Sequence, residues 1–134
     1  MELRGAGIVV YVELMQGLGG LEAEVMNILW STDHSLSVHD VVERVTAVEG
    51  RAPAYTTILT VVTNLHRKGW VQREKRSRAF FYSPTSSRAE ATAHALRALL
   101  DDSGNSDAVL LHFARTVTDV EFDAFRRGRK GDGS

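Results

Sequence analysis

The clearest pattern of hydrophobic and polar positions lies at 54–68, where apolar residues recur at helical spacing. On a helix that turns about 100° per residue, one side is apolar and carries Ile58, Val61, Val62 and Leu65. The other side is polar and carries Thr57, Thr60, Thr63, Asn64 and Arg67. Helix surfaces normally carry Glu, Lys and Gln, so a face of hydroxyls and an amide is unusual. Such short groups can approach base edges and phosphates closely, which makes this helix a candidate for DNA recognition.

Two further helical patterns precede this segment. The first follows Gly19 and Gly20, and its predicted buried positions are Leu21, Val25, Ile28 and Leu29. The second begins at Ser37, which forms a shortened relative of the capping box with Asp40. Its predicted buried positions are Val38, Val41, Val42 and Val45. Ser31–Leu36, between these two helices, reads as a polar loop.

A β-hairpin is predicted after the third helix, which Gly69 should end. Its strands are Trp70–Glu74 and Ala79–Ser83, joined by Lys75–Arg78. Three helices followed by a hairpin form the order of a winged helix. We therefore expect a mainly α fold with a small β-hairpin, in which a winged helix-turn-helix domain spans residues 18–84.

The composition changes after Ser86 and Ser87, where three more helical patterns follow. They carry more apolar side chains than three short helices can bury among themselves, which predicts a helical dimerisation region at 85–127. The residues expected to form the dimer interface are Leu96, Leu99, Leu100, Leu110, Leu111 and Phe113. Residues 1–17 are predicted to be a poorly ordered extension, and residues 128–134 a flexible tail.

Charge is distributed unevenly along the chain. Residues 66–78 hold six basic side chains and one acidic one, a local +5, whereas the whole chain carries −1 and the remainder therefore −6. One positive segment on an acidic body is typical of a protein that binds a polyanion. Within it, Arg76 and Arg78 are placed at the tip of the hairpin, where contacts to phosphate are expected. A solvated strand edge that resists aggregation is the alternative interpretation.

Other chemistries find little support. The chain has no cysteine, which excludes disulfides, thiolate metal sites and zinc fingers and fits the cytoplasm. No two of the five histidines have the spacing of a helical metal clamp, although a site shared across a dimer through His94 and His112 stays open. Ile8–Val12 is too short to span a bilayer. We expect no catalytic residue, no metal, no cofactor and no membrane insertion.

Four segments together resemble the penicillinase-repressor family, the BlaI/MecI/CopY group of bacterial winged-helix repressors. They are LGGLEAEVMNILW (Leu18–Trp30), SLSVHDVVERV (Ser35–Val45), AYTTILTVVTNLHRKGWV (Ala54–Val71) and RAFFYSP (Arg78–Pro84). The resemblance extends over Leu18 to Arg127. The first and third strings are specific when they occur together.

This resemblance implies a homodimer that binds a short palindrome in double-stranded DNA, with the third helix in the major groove. It also implies repression of nearby genes, often for β-lactam resistance or copper homeostasis. In the β-lactam branch a membrane sensor leads to cleavage of the repressor at an Asn-Phe bond, where this chain has His112–Phe113. The copper branch uses a Cys-x-Cys motif, which a chain without cysteine cannot form.

The sequence therefore predicts a cytoplasmic, homodimeric, DNA-binding repressor and not an enzyme. The residues expected to contact DNA are Tyr55, Thr56, Thr57, Thr60, Asn64, Arg67, Arg76 and Arg78. The competing interpretations are a winged helix that binds a partner protein, and a sensor whose ligand changes DNA affinity without proteolysis. More locally, Thr56 or Thr57 could serve only as a helix cap, and the aromatic residues Trp70, Phe80, Phe81 and Tyr82 could stack on unpaired bases.

Overall fold

A computed structural model describes residues 18–131, which fall into two compact units at 18–95 and 96–131. The predicted N-terminal extension at 1–17 and the last three residues of the predicted tail lie outside the described residues. Helices dominate the described part, and the sheet is a small antiparallel one. The predicted fold class, a winged helix followed by C-terminal helices, is confirmed.

The first unit contains three helices and a three-stranded sheet. The helices are α1 (Gly20–Trp30), α2 (Val38–Glu49) and α3 (Tyr55–Arg67). The strands are β1 (Leu36–Ser37), β2 (Val71–Arg76) and β3 (Ala79–Pro84), and their order in the sheet is β1-β3-β2.

The two-residue strand β1 corrects the prediction of a loop at Ser31–Leu36. Leu36 pairs with Tyr82 and Ser37 with Phe81, both antiparallel. A polar sequence of this length carries no alternation that could indicate a strand, so the pairing depends on β3, which lies far along the chain.

The hairpin also differs from its predicted bounds. Arg76 pairs with Ala79, so the loop consists of Ser77 and Arg78 instead of the four residues Lys75–Arg78. Ser77 has a φ of 59°, and two-residue hairpin loops require such a positive φ because it matches the twist of the strands. We refer to β2, β3 and this loop as the wing.

The core of the first unit forms where the three helices meet the base of the sheet. All four predicted apolar residues of α3 are buried, and from the sheet Val71 and Tyr82 join them. On α1 and α2 most predicted positions are buried, but Leu21 and Val42 are only partly so. Ala23 and Met26 are buried as well, because the core covers more of the circumference of α1 than the single predicted stripe.

Local hydrogen bonds set the beginnings and ends of several helices. The Ser37 hydroxyl accepts from the Asp40 N–H at 3.1 Å, and the Asp40 carboxylate accepts from the Ser37 N–H at 3.0 Å. The predicted capping box is therefore confirmed, and it starts α2 at the residue where β1 ends. Gly69 follows α3 with a φ of 84°, a conformation that favours glycine at this position.

The second unit consists of helices. α4 (Arg88–Asp102) begins in the first unit, and α5 (Ser106–Ala114) and α6 (Asp119–Arg129) follow it. A capping box also joins Thr118 and Glu121 at the start of α6. α6 continues through Gly128 to Arg129, so the first residues of the predicted flexible tail are helical. None of the residues 96–131 is buried.

Loss of the Ser37 cap should destabilise the first unit. We expect Ser37→Ala to lower the free energy of unfolding by about 1 kcal/mol, because the Asp40 N–H loses its acceptor at the start of α2. Urea denaturation followed by circular dichroism measures this change. Ser35→Ala is a matched control, since no hydrogen bond of the Ser35 hydroxyl occurs within residues 18–131. Equal stability of the two variants would contradict the prediction.

The Glu24 carboxyl on α1 should make stability depend on pH. Its Oε1 is buried and has no hydrogen-bond partner within the described chain. Burial, followed by the neighbouring Glu49 carboxylate, raises the pKa of Glu24. Between the ordinary and the raised pKa the folded state binds more protons than the unfolded state, so stability falls as the pH rises through that window.

We therefore expect Glu24→Gln to raise the Tm at a pH above the raised pKa of Glu24, where the wild type holds a charged carboxylate in a buried place. The gain should shrink as the pH falls through that pKa, because the wild-type carboxyl then becomes protonated. Calorimetry over a series of pH values tests this, with the exposed Glu43→Gln on α2 as the control. A Tm that the substitution leaves unchanged at every pH would contradict the prediction.

Candidate nucleic-acid interface

The polar face of α3 lies on the solvent side of the first unit. Its members are Thr56, Thr57, Thr60, Thr63, Asn64 and Arg67, and all are exposed except Asn64, which is half-buried. The apolar stripe on the opposite side is held in the core, so the helix cannot rotate without exposing that stripe. These hydroxyl, amide and guanidinium groups are therefore held together on one surface.

The start of α3 is not capped by a side chain. Ala54 is the N-cap residue, and its carbonyl accepts from the N–H groups of Thr57 and Ile58. The interpretation of Thr56 or Thr57 as a helix cap is therefore wrong, because both residues lie inside the first turn. Uncapped amides at a helix N-terminus, with hydroxyls beside them, suit an anion such as a phosphate.

Tyr55 is fixed by a neighbour on α2. Its ring lies 4.8 Å from that of His39, centroid to centroid, while 44% of the residue stays exposed. This contact joins the start of α3 to the start of α2. The Tyr55 hydroxyl is thus presented from an anchored ring.

The hydroxyl of Thr60 is already used within α3. Its Oγ1 donates to the Thr56 carbonyl at 2.9 Å. Threonine commonly makes this bond to the preceding turn. Thr60 is exposed, so its methyl group offers an apolar contact, and its oxygen, which has donated its hydrogen, can still accept a hydrogen bond. A thymine methyl group is a suitable partner for such a surface.

Sequence reasoning did not single out Leu59, which is 39% exposed on α3. The signal was available, because Leu59 falls outside the stripe of Ile58, Val61, Val62 and Leu65. The residues expected to contact DNA were chosen for their polar groups, so the apolar Leu59 was not among them. An apolar side chain on a recognition helix can read the thymine methyl group.

The basic residues of this region differ in how far their charge is free. Lys68 contacts both carboxylate oxygens of Glu22, at 2.9 and 3.0 Å, and Arg76 contacts Glu74 at 2.7 Å. Burial opposes ionisation of Glu22, but the Gly19 N–H and the Lys68 ammonium outweigh it, so the pKa of Glu22 is lowered. Lys68 therefore serves mainly to join α1 to the end of α3.

The two arginines predicted at the wing tip are not equivalent. Arg76 is the last residue of β2, and its guanidinium also lies 4.9 Å from the centre of the Phe81 ring. Arg78 lies in the loop itself and is exposed. Within residues 18–131, its guanidinium makes no hydrogen bond or ion pair. Arg78 is therefore better placed for a phosphate.

The aromatic residues in and next to the wing mostly serve the fold. Tyr82 is 1% exposed, and Trp70 is half-buried with its ring edge-to-face against Trp30 at 6.4 Å. Phe80 is 38% exposed, but the Arg73 guanidinium lies 4.2 Å from the centre of its ring. Base stacking would have to displace Arg73, which makes it the less favoured use of this surface.

The residues predicted to form a dimer interface are exposed in the single chain. Leu100 is half-buried, and the others are exposed by 47% to 65%: Leu96, Leu99, Leu110, Leu111 and Phe113. Val109, Val120, Phe122 and Phe125 are also exposed, and the predicted interface includes none of these four. No group of three potential metal ligands occurs among the described residues, and no helix there has the length and apolar content to cross a membrane.

A family model described as "Penicillinase repressor" matches residues 18–127, which cover the first unit and most of the second. The chain belongs to the penicillinase repressor family. This confirms the resemblance seen in the four sequence segments. At the level of this family, the protein is a DNA-binding transcriptional repressor, a class that is not enzymatic.

Individual relatives agree with this assignment. The "Transcriptional regulator BlaI" of Mycobacterium tuberculosis is 39% identical over 113 residues, which are 82% of this chain and 80% of that protein. The "Methicillin resistance regulatory protein MecI" of Staphylococcus aureus is 32% identical over 65 residues, 48% of this chain and 50% of that protein.

The unequal environments of the wing arginines lead to a prediction for the penicillinase repressor fold. We expect Arg78→Ala to weaken DNA binding more than Arg76→Ala, and to reduce the slope of log K against log salt by about one. Glu74→Gln should strengthen binding, because it frees the Arg76 charge. Fluorescence anisotropy with the duplex upstream of the protein's own gene measures all three variants. A larger loss for Arg76→Ala would refute this ranking.

Proposed function

We propose that the protein is a homodimeric repressor that binds a near-palindromic operator through α3 and the wing of each protomer. The observation that carries this proposal is the exposed polar face of α3, which the buried apolar stripe of the same helix holds towards solvent. Short polar groups on an exposed helix that follows a helix-turn-helix order suit the major groove.

We assign the DNA contacts to two groups. On α3 they are Tyr55, Thr56, Thr57, Thr60, Asn64 and Arg67, and on the wing they are Arg76 and Arg78. The uncapped start of α3 and the charge of Arg78 suit phosphates, which position the protein. The middle of the polar face is left to read base edges.

The second unit supports a dimer because it has no core of its own. None of the residues 96–131 is buried, although the unit carries leucine, valine and phenylalanine side chains. An apolar surface of this kind is stabilised by a partner, and a second copy of the same unit offers the same surface. Since a dimer of this kind is symmetric, its operator should be a near-palindrome with half-sites on one side of the duplex.

The names of the relatives suggest the class of regulated genes. One relative is described as a methicillin resistance regulatory protein, which favours antibiotic-resistance or stress genes as targets. Such a regulator acts where the DNA is, in the cytoplasm. An upstream membrane sensor or protease is a further partner in this proposal.

Induction without proteolysis is the second candidate, and one observation favours it. The position of the Asn-Phe bond that is cleaved in the β-lactam branch holds His112–Phe113 in this chain. This bond lies inside α5. A protease would have to unwind the helix to reach it. A ligand that lowers operator affinity would need no cleavage.

Titration of the protein with the duplex upstream of its own gene tests the proposal. A preference of about a thousandfold over a scrambled duplex, which weakens steeply with salt, is expected for a specific repressor. Equal binding to both duplexes would show that the surface is only a basic patch that binds DNA without sequence preference. Absence of binding to either would favour a winged helix that recognises a partner protein.

The dimer surface has its own test. We expect Leu110→Asp with Leu111→Asp to shift sedimentation from dimer to monomer and to weaken operator binding, because charge enters an apolar interface. Val48→Asp is a control, since Val48 is 69% exposed in the first unit and lies outside the predicted interface. A dimer that survives the double substitution would show that the interface lies elsewhere.

A further inference from the structure

Asn64 and Arg67 are joined in a way that changes what this end of α3 can recognise. The Arg67 Nη2 donates to the Asn64 Oδ1 at 2.9 Å. Arginine has donors and no acceptor, so the amide oxygen, and not the amide nitrogen, must face the guanidinium. The orientation of the Asn64 amide is therefore set by its neighbour.

The groups that remain available on this pair are almost all donors. They are the two N–H bonds of the Asn64 amide and the other N–H bonds of the Arg67 guanidinium. An asparagine that reads adenine must accept from the N6 amino group while it donates to N7. Here the accepting oxygen is engaged, and a positive charge beside it disfavours a further donor.

Neighbouring groups leave the charge of Arg67 available. Glu22 is the nearby acid that acts on it, but the Glu22 carboxylate is bound by Lys68 through both oxygens. Thr60, one turn earlier on the polar face, donates its hydroxyl to Thr56 and does not compete for Asn64. Arg67 is exposed and Asn64 is half-buried, so the guanidinium is the more accessible member of the pair.

We propose that Asn64 is a positioning residue that holds Arg67, and that the pair donates hydrogen bonds to an acceptor-only group of the operator and does not read adenine. Two groups of DNA have this chemistry: the O6 and N7 edge of guanine, and a phosphate oxygen. The inference rests on the proposed function, because it assumes that α3 lies on an operator.

Operators that carry single modified nucleotides distinguish a contact to guanine from a contact to phosphate, and both from a contact to adenine. In the duplex upstream of the gene, 7-deazaguanine removes the N7 acceptor of one guanine, 7-deazaadenine does the same for one adenine, and a methylphosphonate removes the charge of one phosphate. Each substitution is moved through the half-site. Anisotropy titrations compare the wild type with Asn64→Ala, Arg67→Ala and the double variant.

We expect one guanine or one phosphate position at which the modification costs the wild type roughly 5- to 150-fold in affinity but costs Arg67→Ala little. The two single substitutions should be non-additive, because each removes the same unit. Asn64→Gln, which keeps an amide oxygen, should restore part of the loss. If the partner is a phosphate, Arg67→Ala also lowers the salt slope by about one.

Three results would overturn the inference. The first is an adenine position whose modification weakens binding only when Asn64 is present. The second is additive losses of affinity for Asn64→Ala and Arg67→Ala, and the third is a wild-type affinity that none of the three modifications changes. Val48→Ala, an exposed change in the first unit outside the polar face of α3, controls for general effects of substitution. A wild type that prefers no operator would instead refute the proposed function and the inference with it, whereas operator preference with additive losses refutes the inference alone.

Discussion

The burial of four apolar side chains on one side of α3 determines what the other side of that helix presents. Ile58, Val61, Val62 and Leu65 belong to the core where the helices meet the base of the sheet. Each such side chain contributes about 1.5 to 3 kcal/mol when it is removed from water. Rotation of α3 would forfeit that energy, so the threonine, asparagine and arginine groups on the opposite side stay at the surface.

Compensation of charge is the second organising effect. The sequence places six basic residues in a short segment, but in the structure they differ in whether an acidic side chain neutralises their charge. Lys68 is held by Glu22 and Arg76 by Glu74, while Arg67 and Arg78 keep charge that an external anion can use. Exposed pairs of this kind add little to stability, so their main effect is to determine which cations are free.

The two units bury their apolar side chains to different extents. The first unit encloses a core that includes a tyrosine from the wing, and it can therefore hold a precise surface. In the second unit every residue of 96–131 keeps contact with solvent. A helical segment that is locally well formed, with a capping box at Thr118, still lacks the long-range burial that would make it stable alone. This contrast is the physical reason to expect an association through the second unit.

Local patterns determined the helices of this protein, their caps at Ser37 and Thr118, the break at Gly69 and the apolar stripe of α3, because each depends on residues within a few positions. The specific strings of residues also determined the family. The tertiary structure alone decided the pairing of β1 with β3, the strand register that leaves a two-residue wing loop, and which basic residues are neutralised. These features join residues far apart in the chain, or depend on where a side chain lies relative to neighbouring elements, and no local periodicity encodes such distances.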